Sequence, residues 1–200
     1  AVRLLPVLRA LDDTRLVLLN SGRWDIHGGS VTGIEVWRGT ERTEPCVTRN
    51  GTTGVVKALG ITWQPGQLAL HPGRGGEYAV VRWTAPADEA VEVDATVSSI
   101  AERATTDAHV LHGGKSLFRA LVNVGDGGPE ARFKGRATVK AGDTLDFVLG
   151  FGNGHYGADT TALAVTVLGS SGSAYDAARD FSPERNPSGP WSFGEFAPGP

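Results

Sequence analysis

The 200-residue chain has no methionine and a single cysteine, Cys46. A lone thiol excludes an intrachain disulfide and a cysteine-based zinc site. Beside Val47 it reads as a buried, inert side chain. A start of AVRLLP without Met reads as a chain processed or excised from something longer. Charge is also sparse: 20% of residues are charged and the net charge is -3. No run of Lys and Arg with interleaved aromatics appears, which argues against nucleic acid and anionic lipid as partners. No apolar run approaches a membrane span. A G-x-S-x-G elbow, a P-loop and a complete dinucleotide fingerprint are all missing. The Gly-rich stretch GFGNGHYG at 150–157 lies between two strand patterns and opens no helix, so it is not a phosphate loop. No repeat of 20 to 50 residues is visible, against a solenoid or propeller.

What is abundant is punctuation. The chain carries 28 Gly and 11 Pro within 40% hydrophobic residues, as expected of short strands joined by many turns. Residues 91–98 alternate strictly: Val91, Val93, Ala95 and Val97 face one way, and Glu92, Asp94, Thr96 and Ser98 the other. DAHVLHGGKSLFRALVN reads as a hairpin bending at 112–115. A second hairpin turns at 140–143, with Leu145, Phe147 and Leu149 inward and Thr144 and Asp146 outward. TALAVTVLG adds a strand through Leu163, Val165 and Val167. One short helix is expected at 174–181, after Ser170, Ser171 and Ser173 and before Pro183. These patterns predict an all-β chain: an antiparallel, jelly-roll-type β-sandwich with little helix, because one open sheet leaves an apolar face wet. Residues 1–170 form the main sandwich, and 171–200 form a short linker or helix plus a terminal strand.

That terminal strand, WSFGEF, sets Trp191 and Phe193 on one face. Each ring left in water costs on the order of 2 kcal/mol. The strand therefore completes its own sandwich or that of a neighbouring copy. Phe181, Trp191, Phe193 and Phe196 are the candidate self-association residues in the second case.

The block LHPGRGGEYAVVRWTAPADEAVEVDATV, with TTDAHVLHGGKSLF and VKAGDTLDFVLGFGNGHYGADTTAL, resembles a family of bacterial extracellular β-sandwich modules. YDAARDFSPERNPSGPWSFG resembles a second signature of that family. Together they cover about half the chain. The resemblance implies a carbohydrate-binding or adhesive accessory domain of a large secreted protein, located outside the cell or on its surface. In such sequences the FSxxxNPxGxWSFG element ordinarily comes first; here it comes last. The order looks circularly rotated, as in a tandem repeat array cut out of phase or a segment that belongs to the next subunit.

Sugar recognition needs a ring face for C–H groups and short polar groups for hydroxyls. Trp24 and Trp63 lie beside turns, where exposure is plausible, and are candidate ligand-binding rings, whereas Trp37 and Trp83 read as core. Tyr156 lies in the most Gly-rich loop with Asn153, His155 and Asp159, making this cluster the candidate ligand loop. His27, His71 and His155 are expected at the surface. His109 and His112 point to opposite faces of a strand and share no ion. Asp143 and Asp146 likewise make no paired-carboxylate site. Asp126, Glu130 and Asp159 are the candidate donors for a structural calcium ion; no other cofactor is called for. The function expected first is a non-catalytic module that binds polysaccharide or a cell-surface glycan. A filament or repeat subunit joined by strand exchange with other copies is the alternative, and a secreted glycoside-type hydrolase the second alternative.

Overall fold

The computed structural model describes residues 16–22, 25–26, 29–39, 44–123, 128–152 and 154–197. Among them the regular structure is all strand, and every paired strand is antiparallel. In chain order the strands are Val17–Leu18 (β1), Asn20–Gly22 (β2), Asp25–Ile26 (β3), Gly29–Ser30 (β4), Ile34–Arg38 (β5) and Cys46–Asn50 (β6). Val56–Ala58 (β7), Ile61–Trp63 (β8), Leu68–His71 (β9), Tyr78–Thr84 (β10), Glu89–Ser99 (β11) and Thr105–His112 (β12) follow. Lys115–Asn123 (β13), Glu130–Val139 (β14), Thr144–Gly150 (β15), Thr161–Gly169 (β16), Ala174–Asp176 (β17) and Trp191–Phe196 (β18) complete the set.

Two sheets clasp each other. One runs β1-β18-β10-β15-β12-β13; the other runs β14-β11-β16-β9-β6-β5-β2, with β17 alongside β16. The alternation read in residues 91–98 decides how β11 sits. Val91, Val93, Ala95 and Val97 enter the core, while Glu92, Asp94 and Thr96 stand opposite Arg136, Lys134 and Arg132 of β14. Lys134 reaches Asp94 at 2.8 Å and Arg136 pairs with Glu92. Such exposed cross-strand pairs contribute little individually, but charge along the edge strand β14 discourages pairing with another chain. From the facing sheet the core receives Val81, Trp83, Phe147, Leu149, Trp191 and Phe193, all buried.

The 112–115 bend is a two-residue hairpin tip. Gly113 and Gly114 take φ of 54° and 81°, the left-handed pair such a turn demands. The outward side of β15 differs from the sequence expectation. Asp146 does point away from the core, but it is buried at 1% exposure, its Oδ2 accepting from Arg82 Nη2 at 2.9 Å. Val80, Leu111, Val148 and Phe196 are buried on that side too. Continuous apolar runs such as YAVVRW and FVLGF fit strands covered on both faces.

The closing strand β18 lies between β1 and β10 of the same chain, with Trp83 opposite Trp191, Val81 opposite Phe193 and Val17 opposite Glu195. Trp191 and Phe193 are fully buried, Phe196 is 1% exposed and Phe181 6%. Phe181 packs on Phe193 with ring centres 4.9 Å apart. The NPSG turn ahead of the strand has a definite task. Asn186 Nδ2 donates to the carbonyls of Leu19 (3.0 Å) and Phe193 (2.6 Å), and its Oδ1 accepts from Phe193 N–H at 2.9 Å. One side chain thereby stitches the edge of the sheet.

The helix expected at 174–181 does not form. Residues 174–176 pair with β16 instead, Ala174 lying opposite Leu168. Asp176 Oδ1 then accepts from the amides of Ala178 (3.0 Å) and Arg179 (2.9 Å), and Asp180 Oδ2 accepts from Asp176 N–H. Aspartate side chains hold the backbone in a turn, in competition with helix.

A small hairpin, β7–β8, folds over the outer side of the second sheet. Its Ile61 and Trp63 pack with Val36, Cys46, Ala69 and Ala101. Cys46 is buried, as its neighbourhood implied. Leu59 at the hairpin tip has φ of 55° with its side chain 57% exposed. A left-handed leucine costs about 1–2 kcal/mol. Leu59→Asn is expected to raise unfolding stability by about 1 kcal/mol in a urea titration, since Asn tolerates that backbone. An unchanged or lower midpoint contradicts the strain.

Candidate functional site

Strands β9, β10, β12, β15 and β16 bring two loops, 72–77 and 151–160, to one end of the sandwich. The first is a tight Gly-rich turn. Gly73 N–H donates to Glu77 O at 2.7 Å, and Gly75 N–H donates to Glu77 Oε2 at 2.8 Å. This projects Arg74 outward. Its Nε donates to Tyr156 Oη at 3.1 Å, and its guanidinium lies 5.3 Å from the Tyr156 ring centre.

The second loop is anchored from below. Asp107 on β12 accepts from Gly152 N–H at 2.8 Å through Oδ1 and from His109 Nε2 at 2.6 Å through Oδ2. Gly152 has φ of 50°, and a Cβ there meets Thr105 O at 2.6 Å, so only glycine fits. Asp159 Oδ1 accepts from Thr105 N–H at 2.8 Å. Its Oδ2 is buried with no hydrogen-bond partner, as is Thr160 Oγ1. Ala158, immediately before, has φ of 66°. Leu59 and Ala158 are the non-glycine residues at positive φ among those described. Strain of this kind persists where surrounding structure fixes it, and it clusters at functional positions.

On this base stands a ring cluster. Tyr156 is half-buried; His155 is exposed and stacks on it with centres 5.7 Å apart and planes 24° apart. His71 meets the Tyr156 edge-on at 6.2 Å. His155 Nδ1 accepts from Gly157 N–H at 3.1 Å, which fixes the imidazole plane. The accessible result is an aromatic pair beside a guanidinium. That combination presents a flat C–H-binding surface and a multidentate donor side by side.

The electrostatics beneath are divided. His71 was expected at the surface but is 6% exposed, and burial lowers its pKa to about 4 against the opposing bond to Pro72 O at 2.8 Å. A carbonyl only accepts, so Nδ1 carries the proton and the ring is neutral. Burial raises Asp159 to about 6 despite the bonds from Thr105. For Asp107 burial opposes ionisation, but the bonds from His109 and Gly152 prevail and hold its carboxyl below the usual range. The Asp107–His109 pair is itself buried, at 7% and 3% exposure, and serves to hold the loop.

The other sequence candidates disperse. Trp63, a candidate ligand ring beside a turn, is instead fully buried, because β8 turns that side into the second sheet's outer cluster. Trp37 and Trp83 are core as read. Trp24, His27, Asn153 and Asp126 lie outside the described residues. Glu130 is exposed at the start of β14 opposite Ser98. Among the described residues no group of three His, Cys, Asp or Glu is arranged to hold a metal ion. His112 lies 3.8 Å from Asp143, whereas His109 pairs with Asp107. Arg74, His71 and Asp107 were missed. The legible signals were the charged tip of HPGRGGE and the D-x-H spacing, which puts two polar residues on one strand face.

No protein-family model matches the chain, and no curated protein does. Among solved structures it is similar to CBM51 from Clostridium perfringens GH95 in complex with methyl-galactose. The match has 12% identity, covers 78% of this chain and 94% of that one, and has a TM-score of 0.38.

Proposed function

We propose that this protein is a non-catalytic module that binds a polysaccharide or cell-surface glycan outside the cell. The carrying observation is the His155–Tyr156 stack with Arg74 against it, held at the sandwich end by buried Asp107 and Asp159. A sugar ring lays its C–H face on the aromatic surface while the guanidinium takes hydroxyl oxygens. Pre-organisation from below lowers the ordering cost of binding.

The test is titration calorimetry against a panel of soluble plant and bacterial polysaccharides. Tyr156→Ala is expected to weaken binding at least tenfold with unchanged circular dichroism, and Arg74→Ala several-fold. Binding unaltered in Tyr156→Ala removes the ligand from this loop. Turnover of any panel member contradicts the non-catalytic reading.

A further inference from the structure

A second feature lies apart from that loop cluster. The β7–β8 hairpin and the 99–102 turn flank a shallow, open groove of about 790 Å³. Lys57 and Thr62 are cross-strand partners on its floor. Gln64 and Gln67 line one part, Ser99 and Glu102 another. Gln67 Oε1 accepts from Gln64 N–H at 2.9 Å, which fixes that carboxamide and leaves its NH2 free of this bond. Ser99 Oγ donates to Ala101 O at 2.7 Å and retains its acceptor lone pairs. No ion pair engages Lys57 or Glu102 among the described residues. Strained, exposed Leu59 lines the groove as well.

The chemistry narrows the occupant. One ammonium and one carboxylate make the lining formally neutral, so it does not suit a phosphorylated or polyanionic ligand, which needs several cations. Its lining mixes polar and apolar surface and holds no aromatic ring, which disfavours a wholly apolar ligand. Peptide strand addition to β8 is closed, because β8 is bonded to β7 on one edge and to Ile100–Ala101 on the other through Thr62 N–H and the Ile61–Ala101 bridge. What fits is a neutral, hydroxyl-rich chain held by side-chain amides, hydroxyls and the two charges.

We infer that this groove is a second glycan-binding site, so that the module grips one polysaccharide, or two, at separate points. The ligand class rests on the function proposed above; the site does not. Two engaged sites on one chain raise avidity without new contacts.

The experiment is a 15N-correlation titration of the full chain with neutral hexasaccharides of glucose, xylose and galactose. Saturable shifts are expected at 57–67 and 99–102, separate from those at 151–157. Gln64→Ala with Glu102→Gln is expected to weaken the first set about tenfold and leave the second unchanged. Tyr156→Ala is expected to do the reverse. Shifts confined to 151–157, or groove shifts that never saturate, overturn the groove and leave the proposed function standing. Saturable shifts confined to the groove uphold it and overturn the Tyr156 assignment. Silence at both places with every sugar overturns both.

Discussion

Trp191→Ala is expected to lower unfolding stability by about 3–5 kcal/mol, the cost of emptying a fully buried large aromatic site. Three losses combine. The indole leaves a void beside Phe147, whose ring centre is 6.4 Å away. Its Nε1–H bond to Asp180 Oδ2 (3.3 Å) disappears. The strand opposite Trp83 also loses its anchor. Domains of this size hold about 5–15 kcal/mol in total, so this one change removes a large share. Urea unfolding followed by fluorescence measures it, and a loss below about 1 kcal/mol contradicts the central role of β18. Cutting the chain after residue 190 is more severe. It exposes the β10 edge and opens the core, and the product is expected to be unfolded. A synthetic peptide of residues 181–197 added in trans tests whether the strand can be supplied by a second molecule. Recovery of native dichroism supports exchange between copies as a second mode of assembly; no recovery at any peptide concentration removes that mode.

The second large effect is a hidden balance in acid. His71 titrates at about 4 in the fold and 6.5 unfolded, so its contribution is full above 6.5 and is lost as pH falls towards 4. That loss is about 3 kcal/mol. Asp159 works in the opposite sense. Its folded value of about 6 exceeds the unfolded 3.8, so its contribution is full below 3.8 and is lost as pH rises through 6. Asp107, held low, is affected only below 3.8. Between pH 4 and 6.5 the two main slopes oppose each other, and the intact protein is expected to vary little. His71→Phe unmasks the Asp159 slope, so this variant becomes more stable on acidification. Asp159→Asn unmasks the His71 slope and becomes less stable by about 3 kcal/mol from pH 7 to 4. Urea midpoints across that range measure both, and three parallel profiles contradict the balance.

The sandwich was legible wherever one strand face is wet. Glu92, Asp94 and Thr96 alternate with core valines, and that period alone assigns β11. Legibility failed where burial depends on a distant segment. Trp63 looks like a turn residue until β7–β8 folds onto Ala69 and Cys46. His71 ends a strand before a Gly-rich turn, and only the packing of distant parts of the chain on it explains its burial. The 174–181 segment has helical composition, but Asp176 and Asp180 bond to backbone amides within the turn. At the candidate site, Tyr156, His155 and Asp159 were readable as one loop. Arg74, which lies 82 residues away in sequence, could enter only through the geometry.

The pairing of Val17 with Glu195 has a mechanical consequence. Residues 16 and 197 lie at the same corner of the sheet, at one end of the antiparallel β1–β18 pair. Tension applied through them loads the β1–β18 ladder one hydrogen bond at a time, as in unzipping, rather than all together in shear. Stretching the fold between these two residues therefore peels the edge first and reaches the tryptophan core last.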